Sequence, residues 1–486
     1  MQKNRGTFYN LTWKLAERFS AQIVSLIVSI VLARVLDPEH YGVVAIVMVF
    51  ITLANVFVSD GLGSALIQKK DADAIDFSTV LFANIAFSII LYLILFFCSP
   101  LVSMFYGEGY EILTPVMRIL GLRLILSSIN SVQQAYVARQ MIFRKFFLAT
   151  LLGTVVSAIV GILMAYNGFG VWALVAQYLV NTTVDTFVLQ ISLWKWPPLT
   201  FSFKRLKALF SYGIKILGAG LLIQGYQEVR ALIIGKLYSS DDLAYFDRGR
   251  QFPKLISTNI VSSITAVLFP KMSKEQDDTV RVKEIMRQSI RFSSYLMSPM
   301  MFGLAAVAKP LVIVLLTEKW IPCVLMLQIF SLCSIFNPIH SVNNQAYKAV
   351  GRSDLYLKLE LIKKGVEIAV LLCVMWISPL AIAISMLATN IAFIFVNAIP
   401  NKRLIGYSLG EQMIDILPNV FMGLIMGVIV FVIQLVPMNN YLLLLIQVIS
   451  GISIYLLFSI VFKNKEFLYL LNVVKSAFKK KTKSLS

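Results

Sequence analysis

The chain of 486 residues is 58% hydrophobic and only 14% charged, with a mean hydropathy of +0.78. A soluble chain of this length would carry more charge and divide into several domains, which excludes a water-soluble enzyme. The net charge of +19 does not indicate nucleic-acid binding, because the basic residues are spread over many short loops instead of one face.

Apolar runs of about 20 residues recur along the whole chain, which predicts an all-α polytopic membrane protein. The first run lacks the cleavage site of a signal peptide and is interpreted as a retained helix. About 14 spans are predicted, at 15–36, 41–67, 77–100, 114–137, 146–166, 171–193, 208–237, 243–270, 289–316, 321–347, 356–377, 379–399, 413–436 and 441–462.

The loops alternate in charge, and those on the side of the N-terminus carry most of the lysine and arginine. Examples are Lys69, Arg139, Lys204 and Lys271, whereas the opposite loops hold little beyond Arg34 and a few lysines. Positive loops face the cytoplasm, so both the N- and the C-terminus are predicted to be cytoplasmic.

Glu17 lies in the first predicted span, Asp60 in the second and Glu228 in the seventh. Ionisable groups at membrane depth are costly and mark working sites, so these are candidates for exchanging a proton or sodium ion. The alternative for Asp60 is a salt bridge with Arg18, which the topology places at a similar depth.

An internal repeat relates the two halves of the chain. The segment 131–138 recurs as 341–349 with one insertion, and Pro100-Leu101-Val102 recurs as Pro310-Leu311-Val312 at a spacing of 210 residues. Each copy contains six spans, an even number, so the copies are predicted to be parallel lobes around a central cavity. The predicted divisions are an N-terminal lobe at 1–200, a C-terminal lobe at 201–405, an appended helix pair at 406–462 and a basic cytoplasmic tail at 463–486.

Polar stripes run along the fourth span and its repeat partner, the tenth. Their residues recur at intervals of three or four and so share one helical face. Two interpretations stay open: hydrogen bonding that holds each lobe together, or two walls of a polar cavity. The stripes are Arg123, Ser127, Asn130 and Gln134 in the first copy, and Asn337, Ser341 and Asn344 (after Ser334) in the second.

The stretch 221–254, at the seventh and eighth spans, carries the strongest polarity inside apolar sequence. Asp247 offsets only part of its positive charge, and a surplus of cations at membrane depth implies an anionic ligand such as a phosphate or pyrophosphate. The alternative is that the eighth span begins later, which would leave the charges in an outer loop or in the headgroup layer. The candidate headgroup-binding residues are Gln224, Gln227, Arg230, Arg248, Arg250 and Lys254.

No catalytic motif, metal-ligand spacing or phosphate-binding glycine loop occurs in the sequence, so no cofactor and no catalytic residue are expected. The polybasic tail suits the anionic inner leaflet of a membrane, or serves only as an orientation signal.

Three segments resemble the bacterial polysaccharide transporters, the lipid-linked oligosaccharide flippases of the multidrug/oligosaccharidyl-lipid/polysaccharide exporter superfamily. They are 31–42 (VLARVLDPEHYG), 244–250 (AYFDRGR) and 267–273 (VLFPKMS). The family typically opens its eighth helix with Tyr-x-Arg-Ala and closes it with Leu-Phe-Pro-x-x-Ser, and Gly249 stands where alanine is usual.

The resemblance covers the whole chain and implies alternating-access flipping of an undecaprenyl-pyrophosphate-linked oligosaccharide across the bacterial cytoplasmic membrane. The implied partners are this substrate, membrane lipids, and a polysaccharide polymerase or chain-length regulator, with no nucleic acid. A multidrug antiporter of the same superfamily is the nearest alternative, although its cavity should be acidic. A membrane glycosyltransferase or polymerase would need a large outer loop, and a structural scaffold is disfavoured by the charges within the spans.

Overall fold

The computed structural model describes residues 22–59, 61–69, 71–193, 200–468 and 471, and the side chains of all of them except 212, 215 and 353. Within these ranges every regular element is helical and no strand occurs. The predicted all-α membrane fold is therefore confirmed.

The chain forms two compact units, Met1–Ala244 and Tyr245–Ser486. Within the first unit the seventh helix packs along the eighth, and both the sixth and the ninth helix pack against the second helix. The helices of the first unit are α1 (Gln22–Val35), α2 (Pro38–Ser59), α3 (Gly61–Gln68), α4 (Ala74–Tyr106), α5 (Leu113–Gly121), α6 (Arg123–Gln140), α7 (Phe143–Tyr166), α8 (Val171–Leu193) and α9 (Phe203–Leu237).

The next helix, α10, begins in the last residues of the first unit, and most of its length belongs to the second unit. Helix-on-helix contacts again build the second unit, where the longest interface joins α11 and α17. Its helices are α10 (Ser240–Lys274), α11 (Thr279–Ala306), α12 (Ala308–Leu315), α13 (Cys323–Ser334), α14 (Asn337–Ala349), α15 (Ser353–Val374), α16 (Pro379–Ile405), α17 (Leu409–Val432) and α18 (Asn440–Val461).

Each predicted span overlaps one helix or two consecutive helices. By length and composition, nine helices of the described residues can cross a membrane, or eleven if two bent pairs are each one span. The predicted count of about 14 is not confirmed by this test, because α1, α8 and α15 do not pass it. Helix α15 fails for a visible reason, since charged residues from Asp354 to Glu367 occupy its first four turns.

The surface of both units is strongly apolar. Phe97, Leu222 and Leu435 are 70%, 75% and 77% exposed, whereas the amides Asn343 and Asn397 are fully buried. Apolar patches of this extent on a water-exposed protein would drive association. The inverted distribution is that of helices surrounded by lipid, and the protein is a multi-pass membrane protein.

Side-chain caps define the starts of two long helices. The Asp73 carboxylate accepts hydrogen bonds from the backbone N–H groups of Ile75 and Asp76, at 3.1 and 3.0 Å, where α4 begins. Ser408 and Glu411 form the reciprocal capping box at the start of α17. These bonds satisfy backbone donors that the first helical turn leaves without a partner.

Helix positions support the internal duplication. Helices α5 and α13 begin at Leu113 and Cys323, and α7 and α15 begin at Phe143 and Ser353, both 210 residues apart. In both copies the fourth span is interrupted, between α5 and α6 and between α13 and α14. Helix α9, assigned to the second lobe by the repeat, packs on α2 and α3. Because packing need not follow duplication, the lobe boundaries stay a prediction.

The appended pair, α17 and α18, packs against α11 and α12. A Cβ added at Gly423 or Gly427 would lie 3.0 Å from atoms of Ser298 or Phe302 on α11, so these glycines permit close approach of the two helices. The hydroxyl of Tyr455 on α18 donates to the carbonyl of Tyr295 on α11 at 2.9 Å.

Candidate functional site

Helix α9 holds a buried arginine about two turns before its C-terminal end. Arg230 is 7% exposed, and its guanidinium donates to the hydroxyl of Tyr226 at 2.6 Å and lies 4.9 Å from the centre of that ring. The two residues are four apart and so share one helical face. The tyrosine therefore gives the buried charge both a hydrogen-bond acceptor and a cation–π contact.

The other predicted polar residues of α9 differ in exposure. The Gln224 amide donates to the Glu228 carboxylate at 2.7 Å, so this candidate coupling carboxylate is held by its own helix. Gln227, three residues after Gln224 and so beside it on the helix, is exposed. The other two candidate coupling residues, Glu17 and Asp60, lie outside the described residues.

Helix α10 begins at Ser240, so its predicted cationic residues lie inside the helix and not in a preceding loop. Arg248 is 7% exposed, donates to Gln251 Oε1 at 2.7 Å, and lies 5.2 Å from the centre of the Trp320 ring. The depth of these residues relative to the headgroup layer stays a prediction.

The remaining cations of α10 are more accessible. Arg250 pairs with Asp247 at 3.5 Å, and their side chains are 32% and 38% exposed. Lys254 is exposed one turn farther along the helix. The predicted partial neutralisation of Arg250 by Asp247 is confirmed.

Gly249, at the position where the family resemblance implies alanine, has a packing explanation. A Cβ at this position would lie 2.4 Å from Cβ of Met326 and 2.8 Å from the backbone nitrogen of Leu327. The backbones of α10 and α13 therefore approach too closely for a side chain. This contact orients Arg248 and Arg250, the residues on either side.

The polar stripe of α6 bonds to neighbouring helices of the first unit. The Arg123 guanidinium donates to Thr182 Oγ1 on α8 at 2.9 Å and lies 5.4 Å from the centre of the Tyr178 ring. Ser127 is half-buried on the same helix. These contacts fit the interpretation that the stripe joins helices, while a role as a cavity wall stays a prediction.

Farther along α6, two stripe residues meet a carboxylate that the sequence analysis missed. Asn130 donates to Asp185 Oδ2 on α8 at 3.2 Å, and Gln134 donates to Asn130 Oδ1. Thr150 on α7 donates to the other carboxylate oxygen at 3.5 Å. Asp185 is the single acidic residue of α8, so the rule applied to Glu228 would have identified it.

The stripe of α14 likewise bonds to neighbouring helices, in the second unit. Asn337 donates to Ser257 Oγ on α10 at 2.9 Å, and Asn344 donates to Glu360 Oε1 on α15 at 3.3 Å. Ser341 is half-buried. Lys363 forms an ion pair with Glu360 and is itself buried.

A second set of amides between α14 and α16 was also missed. The His340 ring contacts Asn390 at 3.1 Å and Asn397 at 2.9 Å, and Asn343 accepts from Asn401 at 2.6 Å. Asparagine is common at helix ends and in loops, so scattered asparagines in the sequence did not indicate a network. Inside a membrane protein such bonds hold helices together.

A cavity of about 330 Å³ lies in the first unit, where α4, α6 and α8 end or begin. Its polar lining includes Gln133, Arg139 and Gln190, and Asp73 lies at its edge. A hydrogen bond from Arg205 to the Asp73 carboxylate holds the pKa of that group well below its usual range. Arg139 donates to the carbonyls of Leu66 and Lys69, which fixes the loop between α3 and α4.

Three comparisons with known proteins agree with this fold. Residues 31–325 match the family model described as polysaccharide biosynthesis protein. The chain is 26% identical to the succinoglycan biosynthesis transport protein ExoT of Rhizobium meliloti over 312 residues, which cover 64% of this chain and 63% of that protein. The match thus spans less than two thirds of this relative.

Two solved structures share the fold. The lipid II flippase MurJ, in an inward closed conformation, superposes with a TM-score of 0.74 at 16% identity, over 93% of this chain and 98% of that one. An inward-facing multidrug resistance MATE family transporter of the MOP superfamily has a TM-score of 0.64 at 15% identity, over 80% and 96% of the two chains. The family resemblance inferred from the sequence is confirmed.

Proposed function

We propose a function from the premise that the chain belongs to the polysaccharide biosynthesis protein family, whose model matches more than half of its residues. The protein flips an undecaprenyl-pyrophosphate-linked oligosaccharide repeat unit across the cytoplasmic membrane. The unit serves biosynthesis of a surface polysaccharide such as O-antigen, capsule or exopolysaccharide. Transport proceeds by alternating access, and the protein acts as a transporter and not as an enzyme.

The burial of arginine inside apolar helices carries this proposal. Arg230 and Arg248 are each 7% exposed in α9 and α10, and each lies against an aromatic ring. Burying a guanidinium in a membrane helix costs several kcal/mol, about 3 on insertion scales, which favours a functional reason for its presence. A guanidinium offers a planar fork of donors that matches phosphate oxygens, so a pyrophosphate suits it.

The other candidate residues have supporting roles. Gln224, Gln227, Arg250 and Lys254 contribute further donors to the anionic headgroup. The stripes of α6 and α14 offer hydrogen-bond partners to sugars where they are not used between helices. The termini are cytoplasmic, an ion gradient drives turnover through Glu17, Asp60 or Glu228, and a polymerase or chain-length regulator receives the product.

Neutralising the accessible cations of α10 tests the proposal. Arg250 is 32% exposed and Lys254 is exposed, so Arg250→Gln with Lys254→Gln should leave the fold intact. Loss of one charge-assisted hydrogen bond costs about 1.5 to 3 kcal/mol, so flipping of the lipid-linked saccharide should fall at least about 10-fold. The measurement is appearance of the saccharide on the outer face at equal protein levels in the membrane.

A matched control uses the same helix. Lys271 and Lys274 lie in the last turns of α10, so Lys271→Gln with Lys274→Gln removes the same charge elsewhere. This variant should flip substrate at the wild-type rate. If the Arg250 and Lys254 variant also flips at that rate, the proposed anion site is wrong.

The alternative function is that of a multidrug or cation antiporter. The fold shared with the MATE family transporter is the reason to test this alternative. That function requires an acidic, aromatic cavity that attracts cations, whereas α10 carries a surplus of positive charge. A cation-efflux assay separates the two, since a flippase gives no efflux above the empty-vesicle level. A membrane polysaccharide polymerase would lengthen glycan chains in the same vesicles.

A further inference from the structure

A positively charged cavity lies in the second unit, and none of its lining residues is among those assigned to substrate. It has a volume of about 510 Å³ and lies between α11, the first turns of α17 and the segment after α18. Four basic side chains line it, Arg287, Arg291, Lys463 and Lys465, together with two carboxylates, Asp415 and Glu466.

Specific hydrogen bonds build this cavity. Lys463, with φ of 47°, turns the chain sharply where α18 ends. Asn464 then donates to Asn419 Oδ1 on α17 at 2.9 Å, and Asn419 donates to the Arg291 carbonyl on α11 at 3.1 Å. The Asn464 side chain also accepts from the backbone N–H of Glu466 at 3.0 Å. The segment that carries the two lysines is therefore fixed to both neighbouring helices.

The two carboxylates are already engaged by the arginines. Asp415, whose side chain is 3% exposed, pairs with Arg287 at 2.7 Å and accepts from the Tyr407 hydroxyl at 2.9 Å. Glu466, at 11%, pairs with Arg291 at 2.7 Å. In the part of the chain that the structure describes, Lys463 and Lys465 have no carboxylate within ion-pair distance, so the cavity keeps two positive charges.

The edge of the cavity is apolar. Ile414, Phe421 and Phe462 line it and are 67%, 61% and 64% exposed. Exposed apolar side chains beside a cationic site provide contacts for lipid acyl chains, which a free anion does not need. The two positive charges match the phosphate of one phospholipid, and the apolar edge matches the first carbons of its acyl chains.

We propose that this cavity binds the phosphate group of an anionic membrane phospholipid. Lys463 and Lys465 contact the phosphate, Arg287 and Arg291 stay paired and hold the walls, and the acyl chains lie along Phe421 and Phe462. Binding joins α11, α17 and the end of α18, so the lipid stabilises the docking of the appended pair. The inference does not depend on which substrate the protein moves.

The test titrates the full-length protein, purified in a neutral detergent, with short-chain phosphatidylglycerol. Phosphatidylcholine of the same chain length and inorganic phosphate form separate arms. Native mass spectrometry measures bound lipid, and the thermal unfolding midpoint is followed in parallel. Phosphatidylglycerol should bind more tightly than phosphatidylcholine, and Lys463→Gln with Lys465→Gln should weaken it about 5-fold per lysine, about 30-fold for both.

Two matched variants make the result specific. Lys463→Arg with Lys465→Arg keeps the charge and should keep the affinity. Lys402→Gln with Arg403→Gln removes two exposed charges at the end of α16, outside the cavity, and should also bind like the wild type. Equal binding of the two lipids, or an unchanged Lys463 and Lys465 variant, overturns the proposal. Lysine-dependent binding of inorganic phosphate alone assigns a free anion and overturns the lipid.

Discussion

Each unit holds a carboxylate on a helix that overlaps a predicted span, but the two are compensated differently. In the second unit Glu360 on α15 pairs with the ammonium of Lys363 and accepts from Asn344. In the first unit Asp185 on α8 accepts from Asn130 and Thr150, and no cation of the described residues lies within 4 Å of it. The stripe of α6 thus contacts a carboxylate that is held by neutral donors alone, and the stripe of α14 contacts an ion pair.

This difference separates a structural pair from a carboxylate whose charge is held by neutral donors alone. A buried ion pair depends on both partners, because removal of one leaves the other desolvated. A carboxylate without a cationic partner inside a predicted span is costly in its charged form, so its retention points to a function. The residue to examine for ion coupling is therefore Asp185, in addition to Glu17, Asp60 and Glu228.

The largest effect is expected from breaking the ion pair. Lys363→Met should lower the free energy of unfolding by about 3 kcal/mol, because it leaves Glu360 without its cation in a site where Lys363 is 7% exposed. Thermal or denaturant unfolding in detergent measures this loss.

The control removes both charges. Lys363→Met with Glu360→Gln should recover most of the stability, since a neutral amide keeps the hydrogen bond from Asn344. If the double variant is as unstable as Lys363→Met alone, the loss comes from packing, and Glu360 is not held by the charge of Lys363.

A smaller loss is expected in the first unit. Asn130→Ala should cost about 2 kcal/mol, because it removes a hydrogen bond at 3.2 Å to an ionised group. The measurement is the same unfolding assay, repeated in the Asp185→Asn background. There the cost should fall to about 1 kcal/mol, the value for a neutral pair. An equal cost in both backgrounds would contradict an ionised Asp185.

Much of the fold was predictable because hydropathy is a signal of about 20 residues that survives local irregularity. Each predicted span overlaps helical structure, and the 210-residue spacing reappears in the starts of α5 and α13. The breaks within the fourth and tenth spans were not predicted, because each predicted span was drawn from its hydropathy as one continuous helix. Gly121 directly precedes the first break, and Pro338 lies in the first turn after the second, but neither was used as a helix-ending signal.

The site was less accessible to sequence reasoning, because it depends on contacts between distant helices. Asn130 was predicted from its helical face, but its partner Asp185 is 55 residues away. The role of Gly249 depends on the backbone of α13, which no local pattern reports. Within one polar stretch Arg230 is buried and Gln227 is exposed. Which of the two is buried depends on the direction each takes from the helix and on the helices packed there, and the sequence reports neither.

Removing the charge of Asp185 while keeping its shape should stabilise the protein, whereas the Lys363 and Asn130 variants destabilise it. Asp185→Asn should raise the free energy of unfolding by about 1 kcal/mol, because the amide still accepts from Asn130 and its burial carries no charge penalty. Flipping of lipid-linked saccharide should slow at the same time, by at least about 10-fold if a charge-assisted step is lost. Unchanged flipping would remove Asp185 from the candidates for coupling.

The smallest effect is expected at the second donor to the same carboxylate. The Thr150 hydroxyl lies 3.5 Å from Asp185 Oδ1, at the outer limit of a hydrogen bond, so Thr150→Val should cost less than about 0.5 kcal/mol. Thr154→Val, one turn farther along α7, is the matched control, because its hydroxyl bonds only to the Thr150 carbonyl of its own helix. A cost at Thr150 equal to that of Asn130→Ala would mean that two strong donors hold the carboxylate. Asp185 would then be nearly as well stabilised as Glu360. The two units would differ only in that the partners of Asp185 are neutral and the partner of Glu360 is charged.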